Sequence, residues 1–206
     1  STPAPEVAPA PLVVRTRVID DLGDLIELLP QTPDALAWLH AGDGVVAWGK
    51  ARSFDTGGPE RFEAAGTWWR DIVETSIVRD EVGLRGSGLI AFGTFTFAGE
   101  PGSMLVVPEV ILGRRDGVCW LTTIRPALGR DVELQRTPIE QPGSVDFVPG
   151  PVGAQQWTEI VATAIERIQA GELDKVVLAR VVEAHLEKPL DVGAPLTRLA
   201  ATYPGC

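Results

Sequence analysis

Lysine is scarce in this 206-residue sequence: Lys50, Lys175 and Lys188 stand beside fifteen arginines. No run of three or more basic residues occurs, and 18 basic against 28 acidic side chains leave a formal charge of −10. Binding a phosphate backbone depends on concentrated positive charge, so nucleic acid is excluded as a partner. Only two cysteines are present, Cys119 and Cys206, too few for a disulfide framework or a zinc cage. That scarcity points to a reducing, cytoplasmic setting. Apolar runs stop at about four to eight residues, well short of the roughly 18 a membrane-spanning helix needs. No basic segment followed by an apolar stretch opens the chain. It begins instead with STPAPEVAPAP, residues 1–11, expected to be a disordered Pro/Ala-rich lead. The motifs GxSxG and HExxH are both missing.

What is present is 45% hydrophobic sequence, enough for a substantial core in a chain of this length. Leu12–Ile19 alternates as a strand does, and a short helical or turn segment follows at Asp21–Leu29. Ala35–Ala51 reads as a hairpin reversing near Asp43-Gly44. Between Gly58 and Val78 the period becomes 3.6, with Phe62, Ala65, Trp69, Ile72 and Ser76 on one face, and Pro59 suits a first helical turn. Strand patterns return at Gly88–Phe97, Met104–Leu112 and Gly117–Ile124. Residues 125–152 carry five prolines and little periodicity, and read as a Pro-rich connection. Gln155–Ala170 is an amphipathic helix with Trp157, Ile160, Val161, Ala164, Ile165 and Ile168 in one stripe, closed by a left-handed Gly171. Lys175–Val182 reads as a β-branched strand, and Asp191–Thr202 as a further helix. Residues 12–124 are thus an N-terminal α+β sheet region, and residues 153–206 the start of a second domain. Hairpins alternating with isolated helices favour α+β over a parallel βαβ design.

Several features imitate chemistry. Gly86-Ser87-Gly88-Leu89-Ile90-Ala91 matches G-x-G-x-x-A, and Glu109 follows at the spacing of a ribose-binding acid. That fingerprint works only where a helix begins at the glycines, and here a strand does. A plain loop is the reading. His40 and His185 stand apart from any catalytic motif and read as surface histidines. The tryptophans, including Trp68-Trp69, read as core rather than as a ligand pocket.

Lys175 differs from these. At the head of a β-branched strand, its stem either crosses apolar surface to water or ends in a desolvated cavity. In a cavity the ammonium form is disfavoured, and the amine becomes usable as a general base. The structural alternative is a strand-edge lysine paired with Asp174 or Glu172. Arg180, an odd number of positions away, faces the other side of an ideal strand and is cast as an ion-pair partner within the fold.

The block Trp157-x-x-Ile160-Val161-x-x-Ala164-x-x-x-Ile168-x-x-Gly171-Glu172-Leu173-Asp174-Lys175-Val176-Val177-Leu178-Ala179-Arg180 resembles the start of the chorismate-binding domain of chorismate-utilising enzymes. Within that family it looks most like the isochorismate synthases. Weaker similarity at Val45–Gly49 and Val106–Arg115 extends the resemblance over most of residues 35–206. The resemblance implies a sandwich of antiparallel sheets with helices packed outside, and chorismate as substrate. It implies a Mg²⁺-dependent isomerisation in which water adds at C2 and the C4 hydroxyl departs, with Lys175 activating the water. Relatives that deliver ammonia usually carry a different residue at that position. A glutamate acid and the Mg²⁺ ligands would belong to segments beyond residue 206, so the 206 residues resemble the first half of such an enzyme and are expected to be inactive alone.

The expected function is isochorismate synthase, a monomer feeding menaquinone, siderophore or salicylate pathways. Salicylate synthase is the alternative enzyme, sharing the lysine and eliminating pyruvate. A non-catalytic binding fragment using the aromatic helix Gly58–Val78 as its interface is the alternative of a different class.

Overall fold

Alternating and amphipathic segments condense, in the computed structural model, into a mixed α+β chain described over residues 10–126 and 132–205. Its strands are β1 Val13–Ile19, β2 Leu36–His40, β3 Asp43–Trp48, β4 Arg52–Thr56, β5 Ile77–Asp80, β6 Phe92–Thr94, β7 Ser103–Val107, β8 Val110–Arg115, β9 Val118–Arg125, β10 Val145–Pro149 and β11 Val182–Leu186. Its α-helices are α1 Arg61–Thr75, α2 Ala154–Gln169 and α3 Gly193–Thr202, and a 3₁₀ turn covers Ile26–Leu28. The α+β class is as the hairpin-and-helix alternation predicts. The disordered lead expected over residues 1–11 lies, up to residue 9, outside the described residues, as do residues 127–131 of the Pro-rich connection and Cys206.

The chain divides into two compact units, residues 1–139 with 192–206, and residues 140–191. In the first, a six-stranded sheet runs β2-β3-β8-β9-β1-β5 and a three-stranded sheet runs β4-β7-β6. Every pairing is antiparallel except β1 with β5. That parallel pair exists because α1 carries the chain back across before β5 begins. The two sheets share one long ladder: β3–β4 and β7–β8 bend together, and Glu109 N–H donates to Trp48 O (3.1 Å) while Ala51 N–H donates to Val107 O (2.9 Å). Gly49 takes φ +73° at the bend, where a Cβ would stand 2.9 Å from Glu109 Cβ.

Period-two alternation gives the large sheet two apolar faces. One carries Val14, Val45, Ala47, Ile111, Trp120 and Ile124 against Val107 and Ile72; the other carries Val46, Val110, Leu112 and Leu121 against Leu25, Leu28 and Leu29. Trp120 is fully buried opposite Gly113, whose missing side chain makes room for the indole. Between strands, the buried hydroxyls of Thr16 and Thr122 bond to each other (2.8 Å), and Gly88 N–H donates to Thr16 Oγ1 (3.1 Å). Paired this way, the two threonines sit in the core without an unmet polar group.

Several boundaries differ from those predicted. The β2–β3 reversal falls on Ala41-Gly42, both at positive φ, and Asp43 already belongs to β3. Asp43 earns that place by accepting from Asp116 N–H (3.3 Å) across the strand ends. The aromatic helix begins at Arg61, not Gly58, with Pro59 in the preceding turn, and Val78 is in β5. Of its predicted face, Ala65 and Ile72 are buried and Trp69 packs on the core, as does its neighbour Trp68, while Phe62 stays 57% exposed beside Phe95. The strand expected over Gly88–Phe97 shortens to Phe92–Thr94, because Asp80 organises residues 81–88 as turns. Its carboxylate accepts from Val82 N–H, Gly83 N–H and Ser87 Oγ. Burial works against that charge, but the three bonds outweigh it and hold the Asp80 carboxyl below its ordinary value. Gly86 and Gly88 both adopt positive φ, so the G-x-G-x-x-A match is a loop, as read.

The second unit is thinner. β10 and β11 pair antiparallel from Val145↔Leu186 to Pro149↔Val182. A strand therefore lies inside the connection that the prolines had made look structureless; Pro149 fits because it occupies the last strand position. Ser144 Oγ donates to Glu187 Oε2 (3.2 Å), and Glu140 N–H to Asp191 Oδ2 (2.9 Å). No residue from 140 to 191 is buried.

Candidate functional site

Lys175 is delivered by a helix end that the sequence specifies closely. α2 stops because Gly171 turns left-handed (φ +73°), Gly171 N–H donates to Ile168 O (3.0 Å) and Glu172 N–H to Arg167 O (3.0 Å). These are the two bonds of a Schellman cap. Where such a cap commonly has an apolar contact, this one has an ion pair, Arg167 Nε to Glu172 Oε2 at 2.8 Å. Leu173 and Asp174 complete the reversal, and Lys175 follows at the start of an extended segment.

The predicted strand Lys175–Val182 does not form over its first seven residues; β11 starts at Val182, although Gly150 N–H still reaches Val181 O (3.2 Å). The reason is pairing rather than propensity. β10 is only five residues long and offers no backbone opposite 175–180. Lys175 is exposed, and with it Val176 (41%), Val177 (91%) and Val181 (60%). The cavity anticipated around the amine is therefore not furnished by the described residues. The competing ion-pair role is not furnished either: Glu172 is engaged by Arg167, and Lys175 has no ion pair with Asp174 among the described residues. Arg180, expected as an ion-pair partner within the fold, is exposed and likewise forms no ion pair among them. No group of three or more His, Cys, Asp or Glu that could hold a metal ion is assembled by the described residues.

The other sequence candidates sort themselves simply. His40 ends β2 and His185 lies in β11, both exposed; His185 Nε2 stands 3.5 Å from Glu183 Oε2, a carboxylate two residues away on the same strand. Cys119 is buried, and desolvation together with the nearby Asp21 carboxylate pushes its thiol up. A buried thiol of that kind is unreactive. Asp21, by contrast, is held low, first by the bond from Gly23 N–H (2.8 Å) and further by the Arg114 guanidinium.

One feature of the first unit was not legible beforehand. A cleft of about 540 Å³ opens between α3, the 3₁₀ turn and the β2–β3 reversal, lined by Leu25, Leu39, Gly42, Arg114, Thr197 and Tyr203 among others. Arg114 lies at its wall, donating to Gly42 O and Gly23 O and standing 3.5 Å from Asp21. Its charge and donors are spent on holding the two turns together. Ala41 N–H closes the far side on Pro204 O (2.7 Å). The wall of the cleft is mainly apolar, and the arginine is a brace in it.

Fold and site define an α+β protein with a lysine at the mouth of an unpaired β-branched segment. Residues 35–206 match the sequence model of a family described as chorismate binding enzyme. The chain belongs to that chorismate-binding family, and chorismate is its class of substrate. No curated protein matches the sequence. Among the described residues no helix is long and apolar enough to cross a membrane.

Proposed function

We propose that the protein is an isochorismate synthase, in which Lys175 takes a proton from the water that adds at C2 of chorismate while the C4 hydroxyl leaves. The observation that carries the reading is the pairing of a family match over residues 35–206 with a lysine, rather than another residue, directly after the Gly171-Glu172-Leu173-Asp174 turn. Two features support it. The Schellman cap fixes the turn that leads from α2 to Lys175, and the Arg167–Glu172 pair occupies one of the two acids in that turn. A free amine next to Val176 and Val177 is ready to lose water as soon as apolar surface covers that segment, and loss of hydration is what makes a lysine a base near neutral pH.

In this reading the covering surface, the acid that protonates the departing hydroxyl and the carboxylates that hold Mg²⁺ all come from outside the described residues. Mg²⁺ would screen the substrate carboxylate. Incubation of the full-length protein with chorismate and Mg²⁺, followed by separation of products, tests the assignment. Isochorismate alone is the expected outcome. Salicylate with pyruvate would move the protein to the salicylate synthases, and unchanged chorismate would overturn an enzymatic role.

A further inference from the structure

The chain is acidic overall, yet one face of the large sheet gathers positive charge. Residues alternate sides along a strand, so Arg15 and Arg17 of β1 share a face. The register sets Arg15 beside Arg79 of β5 and Thr123 of β9, Arg17 beside Leu121, and Arg125 opposite Val13, two residues from Arg15. Four of the fifteen arginines therefore lie on one face of three neighbouring strands. Arg79 is matched by Glu81 at 3.0 Å. The side chains of Arg15 and Arg17 have neither ion pair nor hydrogen bond among the described residues, and both are exposed. Like charges placed side by side across a ladder are destabilising, and Glu81 offsets only the Arg79 side of the Arg15–Arg79 juxtaposition.

Between these arginines lies a depression of about 150 Å³, lined by Arg15, Arg17, Leu121, Thr123 and Val132. We propose that it is a binding site for one small oxyanion group, a phosphate or a carboxylate, held by the two guanidinium forks with the Thr123 hydroxyl beside them. The size decides the class: pockets for organic ligands of drug size run from roughly 300 Å³ upward, and this one takes a single charged group. The chemistry decides the sign, because a planar guanidinium matches two oxygens of one anion at once. The net charge of −10 does not forbid it. Acids farther than about 8 Å are largely screened at physiological salt, whereas an anion in the depression lies within that distance of both arginines. The site does not involve Lys175, so its failure and the failure of the isochorismate reading are separate results.

Arginine Nε–Hε resonances followed by NMR during titration with inorganic phosphate, at an ionic strength held constant with chloride, test it. A parallel titration with malonate identifies the source: tighter phosphate binding assigns a phosphoryl group, tighter malonate binding a carboxylate. The expected result is saturation confined to Arg15 and Arg17, weakened at least about tenfold by Arg15→Gln or Arg17→Gln. Arg70→Gln, on α1, should leave the affinity within about twofold, since its guanidinium already donates to Thr67 and lies on another element. Arg15→Lys keeps the charge but not the fork, and should weaken binding several-fold while preserving the strand. Shifts that grow linearly without saturating for either anion, or saturation indifferent to both Arg15 variants, would overturn the proposal.

Discussion

α1 and α2 are nearly the same length, 15 and 16 residues, and both are amphipathic, yet α1 buries Ala65 and Ile72 while α2 buries nothing. The contrast extends to the units they belong to. The first unit encloses Trp120, Ile111, Leu112 and Ile124 at 1% exposure or less, whereas Phe147, Ile165, Val177 and Val182 of the other unit stand 44% to 91% exposed. Sequence pattern sets where an apolar stripe lies along a helix. Burial requires a second surface, and α1 has one in the core that residues of both sheets build, with Trp68 stacked on Phe54 of β4. The lesson concerns Lys175 directly, because an amine loses hydration only when its neighbours do.

Removing side chains at matched places breaks or sharpens this contrast. Trp120→Ala, which empties the centre of the first unit, should cost about 3–5 kcal/mol in chemical denaturation. Gly113→Ala probes the same indole from the other side. A methyl there would run into the Trp120 indole, and the clash should cost about 1–3 kcal/mol. Asp80→Ala releases three hydrogen bonds at the turn after β5 and should cost about 1 kcal/mol near neutral pH. Its sign with pH is fixed. The folded Asp80 carboxyl is held below its ordinary 3.8, so its contribution is complete above that value and fades as pH falls through the lower folded value. The difference between wild type and Asp80→Ala should therefore shrink in acid. Ile165→Ser on α2 should change stability by no more than about 0.5 kcal/mol in the 206-residue chain. A loss of 2 kcal/mol or more there would erase the contrast between the two helices.

Much of the fold could be read from residue order wherever its signals are local. The period of α1, the alternation of β8 and β9 and the Gly171 cap each need only a few neighbours. Where reading failed, a distant partner was responsible. The β2–β3 turn slid from Asp43-Gly44 to Ala41-Gly42 because Asp43 bonds across to Asp116. The strand at Lys175 shortened because β10 ends before reaching it. Proline content hid β10 itself, which Pro149 terminates without interrupting. The cleft beneath α3 joins positions 23, 42, 114 and 197, which nothing in the order of residues connects. Lys175 was conspicuous from the start; what surrounds it depends on surfaces that the second unit leaves bare.

Turnover of chorismate by the full-length protein carrying Lys175→Ala, with Lys188→Ala as the matched control, bears most directly on the role of the lysine. General-base assistance is worth about 10²–10⁴ in rate, so kcat should fall at least about a hundredfold for Lys175→Ala with KM little altered, and Lys188→Ala should remain near wild type. A Lys175→Ala enzyme that converts chorismate within a few-fold of the parent rate would contradict the assignment.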